Sequence, residues 1–352
     1  MGRLKRLIET FRNNQTIPFN ARLRHYIDIP IDDVNIKFHK KAIEDPRGVG
    51  RVSRELLKQL RLQSSGCGLK PKKSISQNVF FYSAIQWCPE KLPHPSCILI
   101  HDVIPLLFPD IFDEIARDFE IRLKSIARQA DKVLTISQSS AHDIARLLDI
   151  PIDAISVIYN GVTTLPVAEK NSITLPNGKF IVYLGSFDRH KNIEVVFKAM
   201  LDSSINDINL VMIGGNKRAR SLVTDMQIQE RVHFLGRLKD RETGFVVSKA
   251  LALVFPSIYE GFGLPPLEAA MLGTPSICSS RPAMTEVMDG VALFASPDKP
   301  EEWADRIKML RDDALFRNKL GLLAKERAET FSWKTSSESL VAELSLLRDC
   351  QQ

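Results

Sequence analysis

Two carboxylates eight positions apart, Glu260 and Glu268, flank a short glycine loop and indicate a ligand rich in hydroxyl groups. An ionised carboxylate accepts hydrogen bonds from hydroxyl groups. The loop Gly261-Phe262-Gly263-Leu264 leads into two prolines, which are typical of a helix start. Unpaired backbone N–H groups at a helix N-terminus attract phosphate. A site that binds phosphate and also accepts from hydroxyl groups suggests a sugar nucleotide.

The elements that position this loop follow from the spacing of apolar residues. Leu251–Phe255 is short and apolar, as expected of a buried parallel strand. Residues 267–272 give the following helix an apolar face, and Gly273-Thr274-Pro275 predicts its end. Glu268 is therefore expected in the first turn of a helix.

Strands and helices alternate along both halves of the chain, before and after a polar stretch at residues 163–178. Repeated β-α units predict an α/β protein with two doubly wound, Rossmann-like parallel sheets. We place an N-terminal domain at residues 1–165 and a C-terminal domain at residues 166–352.

A second glycine loop, Pro46–Arg51, precedes a helical pattern that runs from Val52 to Leu60. It falls short of the dinucleotide fingerprint because Ser53 occupies the third glycine position. Two interpretations stay open: the loop brings backbone N–H groups close to a ligand, or it is only a tight turn.

His101 follows the apolar segment Ile98–Ile100, at the predicted carboxyl end of a strand. In open α/β sheets, ligands bind beyond these ends. The alternative is a histidine that caps the next turn. Further along, Ser139 or Ser140 is predicted to cap the helix that runs through Leu148.

Composition narrows the class of protein. Hydrophobic residues at 44% and charged residues at 26% are ordinary for a soluble enzyme, and no apolar run approaches the roughly 20 residues that span a bilayer. The N-terminus does not resemble a signal peptide, so a cytoplasmic location is expected. Five scattered cysteines indicate neither a zinc site nor a disulfide framework.

The net charge of +6 and a pI near 9.0 favour anionic partners, such as a nucleotide sugar or an anionic membrane surface. No nucleic-acid motif is present, so nucleic acid is not an expected partner. Within residues 1–30, four apolar residues at helical spacing alternate with basic ones. This segment is either a helix on an anionic membrane or, as we favour, a surface helix packed on its own domain.

The segment from Glu260 to Glu268 resembles the E-x7-E motif of retaining glycosyltransferases with the GT-B fold, of the family 4 (GT4) type. Other segments occur in the order found in that family: Gly48–Arg51, His101–Pro105, Ile158–Val162, Leu184-Gly185 with Lys191-Asn192, Phe234–Gly236 and Phe331–Trp333. The resemblance covers about residues 46–345 and implies two Rossmann-like domains facing each other across a cleft. It also implies an acceptor-binding first domain, a donor-binding second domain, and a last helix at about 333–350 that crosses back to the first.

The resemblance implies a role for each matching residue. Glu260 would hydrogen-bond the donor sugar, Glu268 the ribose hydroxyls, and Lys191 would neutralise the leaving diphosphate. His101 would lie near the reaction centre. Many members carry an arginine where this chain has Ser186, and we expect Arg189 to supply that charge. The other donor-binding residues implied are Gly48, Gly50, Gly236, Leu238, Gly261, Phe262, Gly263 and Leu264.

The family retains the anomeric configuration, and similar members are often mannosyltransferases of surface polysaccharide assembly. GDP-mannose is therefore the expected donor, and a saccharide or lipid-linked saccharide is the expected acceptor. The alternative is a GT-B enzyme that uses another donor, a UDP-sugar, or a free sugar as acceptor. No Asp-x-Asp motif occurs, so neither a metal nor another cofactor is expected. Two other classes of protein are disfavoured. A nicotinamide-dependent oxidoreductase would use the Gly48 loop, but that loop lacks its third glycine. The other disfavoured class is a noncatalytic scaffold.

Overall fold

The structure is a computed structural model that describes residues 25–45, 48–66, 77–168, 173–215 and 217–349. Within these residues the chain forms two compact units. One contains the described residues up to Gly161 together with those from Ser332 onward, and the other runs from Val162 to Phe331. The chain therefore leaves the first unit and returns to it for its last helix.

The first unit is built on a six-stranded sheet in the order β1-β2-β3-β4-β5-β6. Its strands are β1 (Tyr26–Ile31), β2 (Val34–His39), β3 (Gln77–Tyr82), β4 (Ser96–Leu99), β5 (Lys132–Thr135) and β6 (Ile155–Val157). Its helices before the crossing are α1 (Gly48–Gly66), α2 (Ile104–Leu107), α3 (Pro109–Gln129) and α4 (Gln138–Leu148). Strands β1 and β2 form an antiparallel hairpin, and each later strand pairs in parallel with the one before it.

The second unit contains a fully parallel sheet in the order β12-β11-β10-β7-β8-β9. Its strands are β7 (Phe180–Gly185), β8 (Asn209–Gly214), β9 (Val232–Gly236), β10 (Leu253–Phe255), β11 (Ser276–Ser279) and β12 (Leu293–Ala295). Its helices are α5 (Ile193–Ala199), α6 (Lys217–Asp225), α7 (Asp240–Lys249), α8 (Leu264–Met271), α9 (Pro282–Val287), α10 (Pro300–Asp312) and α11 (Ala314–Glu329). This is the doubly wound strand order, and its switch point lies between β7 and β10.

The last helix, α12 (Trp333–Asp349), belongs to the first unit. There it packs beside α1 and against strands β2 and β3. Its Lys132–Glu343 ion pair, 3.0 Å between Nζ and Oε2, also ties it to β5.

Two local predictions in the first unit are wrong. Gly48 and Gly50 lie in the first turn of α1 rather than in a loop before it. Helix α4 is capped by Ser137, whose Oγ accepts from the Ser140 backbone N–H at 3.0 Å, and not by Ser139 or Ser140. Ser137 takes this place because its backbone is extended, as an N-cap requires, whereas the two later serines are already helical.

The amphipathic helix predicted near the N-terminus lies outside the described residues, as do Cys67 and Cys350. Three cysteines, Cys88, Cys97 and Cys278, are buried free thiols. In the part of the chain that the structure describes, no helix combines the length and apolar character needed to cross a membrane.

Candidate functional site

The centre of the candidate site is an ion pair between Lys191 and Glu260 in the second unit. The lysine Nζ lies 2.6 Å from the glutamate Oε1, and the two side chains are 22% and 12% exposed. Lys191 ends a 3-10 turn that follows β7, and Glu260 lies in the loop after β10. The sheet's switch point therefore brings together two of the predicted catalytic residues, which are 69 positions apart in sequence.

Hydrogen bonds hold the two loops of this pair against each other. The Ile258 backbone N–H donates to the His190 carbonyl at 2.8 Å. The Asn192 side-chain amide donates to the Pro297 carbonyl at 2.8 Å and to the Pro256 carbonyl at 3.3 Å. Asn192 has a left-handed backbone with φ 51°, which asparagine tolerates better than most residues. Sequence reasoning did not assign a role to His190 or Asn192, although the Lys191-Asn192 pair was the available signal.

The ion pair leaves hydrogen-bonding capacity on both partners. A lysine ammonium has three N–H donors, and one is directed to Glu260. A carboxylate has two oxygens, so Glu260 retains an oxygen that can accept from a hydroxyl group. The pair can thus meet a phosphate through Lys191 and a sugar through Glu260 without separating.

The glycine loop leads into α8 as predicted. Gly263 caps the helix with φ 100°, a conformation that L side chains rarely adopt, and Leu264 is its first residue. A Cβ atom at Gly263 would also lie 2.3 Å from the Met284 Cε, so the end of that flexible side chain would have to move. Gly261 and Phe262 are buried, and the Phe262 ring packs edge-on against Phe331 at 5.5 Å between centroids.

Glu268 lies at the start of the second turn of α8 and not in the predicted first turn. It is the fifth residue of α8, whose first turn contains no acidic residue. The two prolines predict a helix that begins at Pro265, but the helix begins one residue earlier, at Leu264, which moves Glu268 into the second turn. Its side chain is only 4% exposed.

The loop that carries Ser186 is closed by local hydrogen bonds. The Ser186 Oγ donates to the Asp188 Oδ2 at 2.5 Å, and the Tyr183 hydroxyl donates to the Ser186 carbonyl at 2.6 Å. Burial, with the nearby Glu260 and Asp188 charges, raises the pKa of Tyr183, so the phenol stays a donor. Arg189 is exposed and occupies the same 3-10 turn as Lys191.

The last predicted donor residues in this unit lie at the end of β9. Gly236 ends the strand with φ 70°, and a Cβ atom there would meet nothing within 4 Å. Leu238 is half-buried. The predicted catalytic and donor-binding residues of the second unit up to Leu264 thus lie at or after the carboxyl ends of β7, β9 and β10. Glu268 lies further along, within α8.

In the first unit, His101 is tied to the turn after β3. Its Nε2 lies 2.9 Å from the Ser83 carbonyl oxygen. Because a carbonyl only accepts, Nε2 carries the proton. The next turn is instead closed by Asp102, whose Oδ1 accepts from the Ile104 backbone N–H at 3.1 Å.

Ser53 connects His101 to the first turn of α1. Ser83 Oγ donates to Ser53 Oγ at 2.8 Å, and Ser53 Oγ donates to the Val49 carbonyl at 2.9 Å. Both serines are fully buried. Ser53, the residue that breaks the dinucleotide fingerprint, therefore links the Gly48–Gly50 segment to His101 through hydrogen bonds. Sequence reasoning missed this link.

The described residues contain no cluster of three or more His, Cys, Asp or Glu side chains arranged to hold a metal ion.

Two family models match consecutive parts of the chain. The model for glycosyl transferases group 1 matches residues 168–327, and the model for Glycosyltransferase Family 4 matches residues 75–164. Together they match 250 of the 352 residues.

Named relatives agree with these matches. The O-antigen chain mannosyltransferase RfbU of Salmonella typhimurium is 33% identical over 226 residues, which are 62% of this chain and 62% of that protein. The O-antigen chain mannosyltransferase B of Escherichia coli is 26% identical over 278 residues, 73% of this chain and 72% of its own length. The chain thus matches less than two thirds of the length of the first of these relatives.

The fold is also found in a solved structure. Sucrose-phosphate synthase of Thermosynechococcus elongatus superposes with a TM-score of 0.66 at 23% identity, covering 78% of this chain and 74% of that one. This likeness and the two Rossmann-like sheets confirm the predicted GT-B fold class. Both matching models describe glycosyltransferases, and the named relatives are glycosyltransferases, so the chain is a glycosyltransferase of the family 4 type.

Proposed function

We propose that this protein is a retaining glycosyltransferase that moves a hexose from a nucleotide sugar to a saccharide or lipid-linked saccharide in cell-surface polysaccharide synthesis. Mannose from GDP-mannose is the proposed donor group, because the relatives named above are O-antigen mannosyltransferases. The observation that carries the proposal is the Lys191–Glu260 pair at the switch point of the second sheet.

The residues fit the chemistry of glycosyl transfer. The bond from the anomeric carbon to the diphosphate oxygen breaks, and the acceptor hydroxyl oxygen bonds to that carbon on the same face. The acceptor proton passes to the leaving phosphate, so no protein base is needed. Lys191 would stabilise the charge that grows on the diphosphate, and such preorganised charge is commonly the largest catalytic term. Arg189 would add a second cation.

The other predicted residues take supporting roles in this proposal. Glu260 would bind the donor sugar and Glu268 the ribose. The backbone N–H groups from Gly261 to Leu264 would meet the diphosphate at the start of α8. In the first unit, His101 would lie near the reaction centre and Gly48 and Gly50 near the diphosphate. Gly236 and Leu238 would contact the base.

The proposed location is the cytoplasm, with peripheral contact at the inner face of the plasma membrane. The net charge of +6 suits an anionic lipid surface, and a lipid-linked acceptor would be reached there. Nucleic acid is not a proposed partner.

A donor panel tests the function directly. Purified protein is incubated with GDP-mannose, UDP-glucose, UDP-N-acetylglucosamine and NAD, and release of free nucleotide is measured with and without a lipid-linked saccharide acceptor. We expect acceptor-stimulated release of GDP. Release of UDP alone would show that the donor is a UDP-sugar and not GDP-mannose, and the proposed reaction class would stand. No release from any sugar nucleotide would refute the proposal.

A further inference from the structure

Two arginines on helix α6 stack on phenylalanine rings at the carboxyl edge of the second sheet. The Arg218 guanidinium carbon lies 5.9 Å from the centroid of the Phe187 ring, and that of Arg220 lies 4.4 Å from the Phe234 ring. Phe187 lies in the loop after β7, and Phe234 belongs to β9. No role in the reaction described above uses either pair.

The two arginines differ in their charge partners. The Arg218 Nη2 donates to the Glu194 Oε1 at 3.1 Å. Arg220 is exposed and contacts no carboxylate among the residues that the structure describes. A guanidinium held over a ring face by a cation–π contact does not use its N–H donors in that contact, so a planar ligand can accept from them. Arg220 thus presents an oriented pair of donors that the protein itself does not use.

The position of Arg220 on the sheet suits the base of a nucleotide. The ion pair of Lys191 and Glu260 lies where β7 meets β10, and Phe234 lies two strands away, across β8. Neighbouring strands are about 4.8 Å apart, so the two places are separated by about 10 Å. In a nucleotide sugar, the ribose and two phosphates separate the base from the sugar. With the sugar at Glu260 and the base beside Gly236, as proposed above, the nucleotide would run toward the β8–β9 end of the sheet, where Phe234 and Arg220 lie.

We propose that Arg220, oriented by Phe234, donates two hydrogen bonds to O6 and N7 of a guanine base and so selects GDP-linked donors. The proposal rests on the proposed function and adds the residue that would set its nucleotide specificity. Guanine offers two adjacent acceptors that match the guanidinium fork. Adenine presents an amino donor in place of O6, and uracil has no such pair of acceptors.

Nucleotide binding to three variants tests this assignment. Dissociation constants of GDP, IDP, ADP and UDP are measured by titration calorimetry for the wild type, Arg220→Met, Arg220→Lys and the control Arg218→Met. IDP keeps O6 and N7, so we expect it to bind the wild type nearly as GDP does. Arg220→Met should weaken GDP and IDP about tenfold or more and leave ADP and UDP within twofold. Arg220→Lys keeps the charge but loses the fork, and should also weaken GDP.

The other outcomes separate the failure of this inference from the failure of the function. Equal weakening of all four nucleotides by Arg220→Met would show a contact to phosphate and overturn the base assignment. A wild type that prefers UDP would overturn it as well, while leaving glycosyl transfer intact. If no nucleotide binds the wild type, the proposed function itself fails. Because Arg220 is exposed, unchanged thermal unfolding of the variant is expected and is measured as the folding control.

Discussion

At the scale of single residues, Lys191 and Glu260 are held in place more firmly than an exposed ion pair would be. Both side chains are mostly buried, and hydrogen bonds to the His190 carbonyl and from the Asn192 side-chain amide fix the loops that carry them. An exposed salt bridge contributes little to stability because solvent screens it and side-chain entropy opposes it. The rigid loops remove part of that entropy cost, which favours a role in holding charge at a defined place.

Replacing either partner should therefore abolish transfer without unfolding the protein. We expect Lys191→Ala and Glu260→Ala each to lower kcat by about 10²- to 10³-fold, the loss typical of a preorganised electrostatic group. Turnover is measured under saturating donor, and circular dichroism checks the fold. Lys198→Ala, at an exposed position on α5, is the matched control and should keep wild-type turnover. Near-normal kcat in either site variant would refute the assignment.

A second prediction concerns His39, which ends β2 and is 7% exposed. Burial first, and then the nearby His25, Lys41 and Lys40, lower its pKa from 6.5 to about 3. Its ring lies 5.3 Å from that of Tyr26 and 5.4 Å from that of Tyr82. The folded state therefore keeps this histidine neutral across the physiological range.

The sign of the pH effect follows from proton uptake. Below pH 6.5 the unfolded chain protonates this histidine and the folded protein does not, so stability is complete above that pH and falls as pH decreases toward 3. Between pH 7 and pH 5 the loss from this group should be about 2 kcal/mol. We expect His39→Phe to be less sensitive to acid than the wild type in urea unfolding at the two pH values. The exposed variant His142→Asn should keep the wild-type dependence, and an equal pH slope in His39→Phe would contradict the prediction.

At the scale of elements, the start of α1 shows what sequence patterns reveal and where they stop. The apolar spacing from Val52 to Leu60 predicted a helix, and the helix is present. The predicted first residue was too late, because two glycines within three positions, Gly48 and Gly50, suggest a loop. Tertiary packing instead allows both glycines to lie in the first turn of the helix. A Cβ atom at Gly50 would lie 1.8 Å from the Asp45 carbonyl oxygen, so this glycine permits a close backbone approach.

The strands differed in how clearly the sequence predicted them. The apolar runs of β7 to β11 predicted buried strands well, because both faces of a parallel sheet are covered. Strand β1 was missed, since Tyr26–Ile31 contains an aspartate and a proline that are uncommon inside strands. The contact between Lys191 and Glu260 depends on which strands are neighbours, and spacing alone does not encode this. In the sequence, only the family resemblance links the two residues.

The two glycines of α1 allow a matched comparison. A Cβ atom at Gly48 meets nothing within 4 Å, whereas one at Gly50 collides with Asp45. We expect Gly48→Ala to unfold like the wild type and Gly50→Ala to lose about 1–3 kcal/mol of unfolding free energy, as overpacked positions do. Chemical denaturation measures both. If the backbone at Gly48 approaches the donor, Gly48→Ala should also raise the KM for the nucleotide sugar. Equal stability of the two variants would refute the steric argument.

At the scale of the whole molecule, the three tryptophans report separately on the two units. Trp87 and Trp333 belong to the first unit, and Trp303 belongs to the second. Trp303 is fully buried in the second core, and its indole N–H donates to the Ser296 carbonyl at 2.8 Å. A protein with two cores need not unfold in a single step, so one melting temperature would average two events.

Tryptophan fluorescence can therefore locate the site that binds the nucleotide. In the double variant Trp87→Phe, Trp333→Phe, only Trp303 fluoresces, and GDP at 100 times its Kd should stabilise the second unit by about 2.7 kcal/mol. NAD at the same concentration should leave the transition unchanged. The complementary variant Trp303→Phe follows the first unit, and GDP should shift its transition too if Gly48 and His101 contact the donor. If GDP does not shift the Trp303 transition, a nucleotide-sugar site on the second sheet is excluded. If NAD shifts it as much as GDP does, that site is also excluded, and the oxidoreductase alternative is favoured.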